Sequence, residues 1–213
     1  MFYKHEDPAY VGNDMRMLVS DMAGRASIEL KSQELGVDLG GDRELITRIV
    51  ERVKEMDSRG FTFEAADASF ELLLRNELGE KDPKYFTVES WKATVEQSEN
   101  GEVTTEAVVK VNAGGKVLEQ TSRGNGPVNA LDKALRAALE KIYPELAKLE
   151  LIDYKVRILE GVKGTGAVTR VLIETTDGNS QWDTVGVHEN VIAASWNAIS
   201  DAVTYGLLKA NVK

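Results

Sequence analysis

Gly124-Asn125-Gly126-Pro127-Val128-Asn129-Ala130-Leu131 marks the point where a strand-like run, Lys116-Val117-Leu118-Glu119-Gln120-Thr121, gives way to a helical pattern reaching about Ile142. Proline suits the first helical turn, where its missing N–H removes no bond. The two glycines ahead of it let the backbone bend sharply and leave N–H groups uncovered. Those groups, with the positive end of the helix dipole, form a seat for a carboxylate or phosphate. A similar passage from strand to helix recurs at Thr184-Val185-Gly186-Val187-His188-Glu189-Asn190-Val191-Ile192-Ala193-Ala194. Thr121 and Thr184, Pro127 and Asn190, Val128 and Val191, and Ala130 and Ala193 align without gaps at a spacing of 63 (184 − 121 = 63).

Outward from these passages the pattern repeats as well. From Tyr85, the set Phe86, Val88, Ser90 and Lys92 alternates with Thr87, Glu89, Trp91, Ala93 and Val95, as a strand requires. Thr104 to Val111 reads as a second strand, Asn112-Ala113-Gly114-Gly115 as a hairpin turn, and Lys116 to Thr121 as a third strand. After Pro144 the order restarts: a strand over 149–159, a loop over 161–166, a strand over 167–175, a turn at 176–179, a strand over 180–187 and a helix over 190–208. Residues 85–143 and 148–209 are therefore two β-β-β-α repeats. Duplication predicts pseudo-twofold packing, with one sheet per half or one shared sheet, and helices on one face.

Ahead of the repeats the periodicity is helical. Helices are expected over about 25–35 (closed by Gly36), after the cap Asp42 as far as Gly60, and from Glu64 to Leu78 before Gly79. Glu80-Lys81-Asp82-Pro83-Lys84 is polar, holds a proline and precedes the change of period, which places a domain boundary there. The fold class is thus α+β: a helical subdomain over 1–82, then a pseudo-twofold duplicated β-β-β-α domain over 83–213. Met1 opens directly on what reads as mid-protein sequence, which predicts a piece of a longer chain.

The totals narrow the function. A net charge of −9 leaves no basic excess to neutralise phosphates, so nucleic acid is not an expected partner. No apolar run approaches the ~20 residues of a membrane span, so no membrane partner is expected. Zero cysteines exclude disulfides and thiol catalysis and fit a cytoplasmic protein. With only His5 and His188, an HxH or HExxH metal motif is impossible.

Each motif has a structural reading beside its functional one. Gly124-Asn125-Gly126 is either a tight connection or an anion seat; it is no dinucleotide fingerprint, because Asn129 stands where a third glycine belongs. Glu189 and Asn190 read as capping the last helix, and the functional reading is that His188 or Glu189 meets a polar group of a ligand. Gly164-Thr165-Gly166 reads as a flexible hairpin, and His5 as a solvated loop residue. Glu96, Glu99, Glu102 and Glu106 read as the wet face of a hairpin, and Trp91, Trp182 and Trp196 as packing residues. No nucleophile-and-base arrangement is visible, so no catalytic residue is assigned.

Four separated segments resemble one family. Tyr3-Lys4-His5-Glu6-Asp7-Pro8-Ala9-Tyr10-Val11-Gly12-Asn13 and Leu18-Val19-Ser20-Asp21-Met22-Ala23-Gly24-Arg25 resemble the segment after the catalytic barrel in the citramalate-type branch of the 2-isopropylmalate synthase/homocitrate synthase family. Gly124 to Ala130 and Thr184 to Trp196 resemble the two halves of that family's C-terminal regulatory domain. Isopropylmalate synthases tend to carry Gly-Lys-His-Ser-Gly-Arg where Ser20-Asp21-Met22-Ala23-Gly24-Arg25 stands here, which favours the citramalate branch.

The resemblance implies a linker subdomain followed by a regulatory domain that forms a homodimer and binds isoleucine or leucine as feedback effector. It places the divalent metal and acetyl-CoA in a barrel that this chain lacks, so no cofactor is expected here. The expected effector site comprises Gly124, Asn125, Gly126, Val128, Asn129, Ile152, Tyr154, Ala167, His188 and Glu189: N–H groups around Gly124 to Val128 for the carboxylate, Val128, Ile152, Tyr154 and Ala167 for the branched side chain, and Glu189 or a backbone carbonyl for the ammonium. A ligand-free dimerisation module of the same enzymes is the alternative. Both would share the fold.

Overall fold

The computed structural model describes residues 24–79, 85–159 and 166–212. The expected boundary at 80–84, the segments around His5 and Ser20, and all of the 161–166 loop except Gly166 lie outside the described residues.

Among the described residues three helices come first: α1 (Arg25–Glu34), α2 (Arg43–Ser58) and α3 (Asp67–Glu77). Asp42 caps α2 as its position suggests, its Oδ1 accepting from the N–H groups of Glu44 at 2.9 Å and Leu45 at 3.1 Å. Gly60 follows with φ 99°, a conformation that ends a helix cheaply only at glycine. Helix α3 begins three residues later than the expected Glu64. The chain first turns so that Phe63 is buried against Phe70, with ring centroids 5.6 Å apart. Leu45, Ile46, Ile49 and Val53 of α2 and Phe70 and Leu74 of α3 bury one face each against Ile28 of α1.

Two antiparallel three-stranded sheets follow, one per repeat. The first, in the order β1-β2-β3, comprises β1 (Phe86–Gln97), β2 (Val103–Ala113) and β3 (Lys116–Gly124). Gly114 and Gly115, both at positive φ, make the two-residue turn between β2 and β3. Helix α4 (Pro127–Leu139) then packs on the sheet, ending three residues before the expected Ile142, and a short 3₁₀ segment (Pro144–Lys148) leads to the second sheet. That sheet, β4-β5-β6, comprises β4 (Glu150–Ile158), β5 (Thr169–Thr176) and β6 (Gln181–His188), followed by α5 (Val191–Lys209).

Two features of the duplication differ from the expectation. The first strand of each sheet carries a bulge, between Val88 and Ser90 in β1 and between Leu151 and Asp153 in β4. The extra residue reverses the phase of β1. Phe86 and Val88 therefore share a face with Trp91, Ala93 and Val95, all opposite the buried positions Ala113, Val111, Val109, Ala107 and Thr105 of β2. The frame of the repeat is also not uniformly 63. It holds for the bulges (152 − 89 = 63), but Gly124 pairs with Thr105 as His188 pairs with Thr169, a spacing of 64 (188 − 124 = 64). Burial agrees with 64 in the helices: Ala130, Ala134, Leu135 and Leu139 match Ala194, Ala198, Ile199 and Val203, all buried. One added residue between β4 and β5 accounts for the shift, because a loop accepts an insertion and a packed face does not.

The sheets share one core. Val109 and Val111 of the first and Val171 and Ile173 of the second are buried in a single cluster with α4 and α5. The other face of the second sheet is covered by α1–α3, where Val185 and Val187 join Ile28, Ile49 and Phe70. Polar groups pin this junction. Ser69 donates to Asp201 and accepts from the Val185 N–H, each at 3.0 Å. Arg170 Nε donates to the Gly60 carbonyl at 2.5 Å, and Tyr205 donates to Glu71 at 2.8 Å.

Burial, and then the hydrogen bond to the Glu71 carboxylate, push the Tyr205 phenol well above the ordinary tyrosine range. The unfolded chain releases this proton near pH ~10 and the folded chain only later. The unfolded state thus binds fewer protons above that point, so stability present below pH ~10 is lost as pH rises further. Denaturant titrations from pH 8 to 11 should show this decline, and Tyr205→Phe should flatten it; an unchanged slope would contradict the assignment.

Candidate functional site

The turn from Gly124 to Pro127 forms one wall of a cleft. Gly126 precedes α4 in an extended conformation (φ −172°, ψ 170°), no side chain caps the helix, and Pro127 occupies its first turn. The first bond into the helix runs from the Ala130 N–H to the Gly126 carbonyl at 2.9 Å. The Val128 and Asn129 N–H groups come before it, in the first turn, where a helix provides no partner of its own. Gly124 brings the strand end against the helix: a Cβ there would lie 2.6 Å from the Ala130 nitrogen. Asn129 Oδ1 accepts from the Asn125 N–H at 3.3 Å and so ties the turn to the helix.

The opposite wall is the start of β4. Together they enclose about 580 Å³ lined by residues 125–129, Asp132 and Arg136 on one side and by Leu149, Glu150, Leu151 and Tyr154 on the other. This lies within the roughly 300–1,000 Å³ typical of small-molecule sites. Arg136 closes the floor, with Nε 2.7 Å from Asp132 Oδ1 and Nη1 donating to the Leu149 carbonyl. The Tyr154 hydroxyl reaches across to Ser195 of α5 at 2.8 Å. The cleft combines N–H groups without a partner among the described residues, a carboxylate (Glu150), an internal ion pair and apolar surface from Val128, Leu151 and the Tyr154 ring.

The second strand-to-helix passage is built differently. Asn190, in the position equivalent to Gly126, caps α5: its Oδ1 accepts from the N–H groups of Ile192 at 2.8 Å and Ala193 at 3.2 Å. His188 Nδ1 accepts from the Asn190 N–H at 2.8 Å. Trp91, the counterpart of Tyr154, packs on Trp196 with centroids 5.8 Å apart. This helix start is occupied by the chain's own side chains.

Of the expected site residues, the structure brings Asn125, Gly126, Val128, Asn129 and Tyr154 together around the cleft. Gly124 lies beneath it, shaping the turn. Ile152 is the exposed bulge residue of β4 and is not in the lining. Ala167 precedes β5 at the end that pairs with Ile158, far along β4 from Leu151. His188 and Glu189 sit at the start of α5 and do not line the cleft. Sequence reasoning missed Asp132, Arg136, Glu150 and Leu151. The i,i+4 spacing of Asp132 and Arg136 was the available signal for the first two.

Comparison with known proteins agrees with this architecture. The family model described as "LeuA allosteric (dimerisation) domain" matches residues 64–207. An (R)-citramalate synthase of Streptomyces coelicolor is 67% identical over 99% of this chain, and one of Geobacter sulfurreducens is 46% identical over 98%. A 2-isopropylmalate synthase of Methanocaldococcus jannaschii is 24% identical over 97% of the chain. The chain spans 39%, 39% and 38% of the lengths of these relatives, respectively. The matched stretch takes in α3, both β-β-β-α repeats and the cleft between α4 and β4, and the chain belongs to the LeuA allosteric (dimerisation) domain family.

Proposed function

We propose that the cleft binds one branched-chain amino acid, isoleucine or leucine, and that the chain is the feedback-regulatory and dimerisation part of a cytoplasmic citramalate- or 2-isopropylmalate-synthase-type acyltransferase. The observation that carries the reading is an uncapped helix start facing Leu149, Leu151 and the Tyr154 ring across one cleft. The effector's carboxylate accepts from the Val128 and Asn129 N–H groups. Its ammonium lies toward Asp132 and Glu150, which line the cleft where Glu189 does not. Its branched side chain rests on Leu151 and Tyr154. The whole synthase would condense acetyl-CoA with a 2-oxo acid, pyruvate for the citramalate type. Its divalent metal would be held in the catalytic part of that synthase.

Two apolar stripes support the homodimer. Val156 and Ile158 of β4 stay exposed on the strand face that carries Tyr154, and Val95 does the same on β1 beside Ala93 and Trp91. A second copy would cover them. Among the described residues no helix is long and apolar enough to cross a membrane.

A thermal-shift titration with isoleucine, leucine and valine tests the reading. At a hundred times Kd a ligand bound only by the folded chain adds ~2.7 kcal/mol, roughly 5–10 °C for a chain of this size. Gly126→Leu should abolish the shift while leaving unliganded melting nearly unchanged, since a Cβ at that position meets no heavy atom within 4 Å. If none of the three amino acids moves the melting temperature, the chain is a ligand-free dimerisation module instead.

A further inference from the structure

Helix α5 contributes no residue to the lining of the cleft, yet one of its buried side chains holds a wall of it in place. Ser195 is fully buried in the first turns of α5, and its hydroxyl lies 2.7 Å from the Val191 carbonyl and 2.8 Å from the Tyr154 hydroxyl. A serine hydroxyl has one proton. The Val191 carbonyl can only accept, so Ser195 donates to it, and Tyr154 must donate to Ser195. The Tyr154 ring is thereby fixed at both ends, by its backbone in β4 and by its hydroxyl on α5.

This pairing exists on one side of the pseudo-twofold. Leu131 stands in the position equivalent to Ser195 and Trp91 in that of Tyr154, and neither offers a hydroxyl. Both members of the pair lie in the second repeat, whose own helix start is capped by Asn190, while Tyr154 lines the cleft at the uncapped start of α4. Without the bond the Tyr154 ring would be free to change rotamer, because the residue is about one-third exposed and the cleft leaves room beside it.

We propose that Ser195 is a positioning residue for effector selectivity: by holding the Tyr154 ring it sets the space for the ligand's side chain. Discrimination among isoleucine, leucine and valine then depends on a buried hydroxyl that no ligand touches. The inference rests on the cleft being the effector seat. It also ties occupancy of the cleft to the first turn of α5, the helix that carries Asp201 and Tyr205 to the junction with α3.

The test is calorimetric titration of the three amino acids into the wild-type chain, Ser195→Ala, Tyr154→Phe and the double variant. The preferred ligand's advantage over the other two should fall about fivefold in either single variant, the worth of one hydrogen bond. The double variant should lose no more than a single one, because both remove the same bond. A role confined to stability would lower melting while leaving the ratio of the three affinities alone. Unchanged ratios in Ser195→Ala, or losses that add in the double variant, would overturn the positioning role while the seat itself stands. If Ser195→Ala fails to fold, Tyr154→Phe decides, and retained selectivity there overturns the role equally. If the wild-type chain binds none of the three, the seat and the role fall together.

Discussion

Gly186→Val is expected to leave the chain largely unfolded at ambient temperature, and even Gly186→Ala should cost it dearly. Gly186 lies on β6 directly beneath α5. A Cβ there would overlap the Ala194 carbonyl oxygen and sit 2.9 Å from the Ala198 nitrogen. Both are backbone atoms inside a helix, so neither can yield as a flexible side chain would. The helix has to lift from the sheet, and Trp182, Ile173 and Ile199 would then lose contact within the core. Overpacking typically costs ~1–3 kcal/mol, and a clash with helix backbone belongs at or above the upper end. For Gly186→Ala this corresponds to a fall of roughly 6–12 °C in melting temperature. A change under about 2 °C would show that the strand-to-helix spacing is not as close as described.

Charge reversal at Lys31 should have the next largest effect. Lys31 is only 2% exposed, with its Nζ 2.9 Å from Asp67 of α3 and 3.2 Å from Glu34. Lys31→Glu would place a third carboxylate among these two without a counter-charge. Leaving a buried charge unpaired costs ~3–5 kcal/mol; because Asp67 and Glu34 are each more than a third exposed, roughly 3 kcal/mol is the fairer figure. Lys31→Met should be nearly neutral, since an apolar side chain of similar length fills the same space without the cost of burying a charge. Denaturant unfolding of both variants checks the pair. Equal destabilisation by Met and Glu would mean that Lys31 contributes packing alone.

Element order was legible because each boundary has its own chemistry. Asp42 is a capping residue, Pro127 a first-turn residue and Gly114-Gly115 a hairpin pair, and each acts that way in the structure. The bulges were not legible. Glu89 and Ile152 are ordinary strand residues, and a bulge reverses the phase of a strand without a glycine or proline to announce it. The frame of 63 arose from matching residue types across the two helix starts, where Asn190 resembles a first-turn residue but serves as a cap.

That distinction also decides which seat is open. Asparagine satisfies the N–H groups of its own helix, and the glycine in the equivalent position has no side chain with which to do so. The contacts that join the floor and far wall of the cleft to other elements left no pattern in the sequence. The contact of Arg136 with the Leu149 carbonyl and that of Tyr154 with Ser195 join different elements, the second across 41 residues, through groups that any polar surface carries.

An amino acid whose carboxylate is received by the first turn of α4 must perturb the amides that hold it. Backbone amide resonances measured during titration with isoleucine, and separately with leucine, test this seat most directly. The largest shifts should fall on Val128 and Asn129, with smaller ones at Gly126, Leu151 and Tyr154, and the Ile192 and Ala193 amides, already bonded to Asn190, should move little. Saturable shifts centred on the start of α5, or none at Val128 and Asn129, would contradict it.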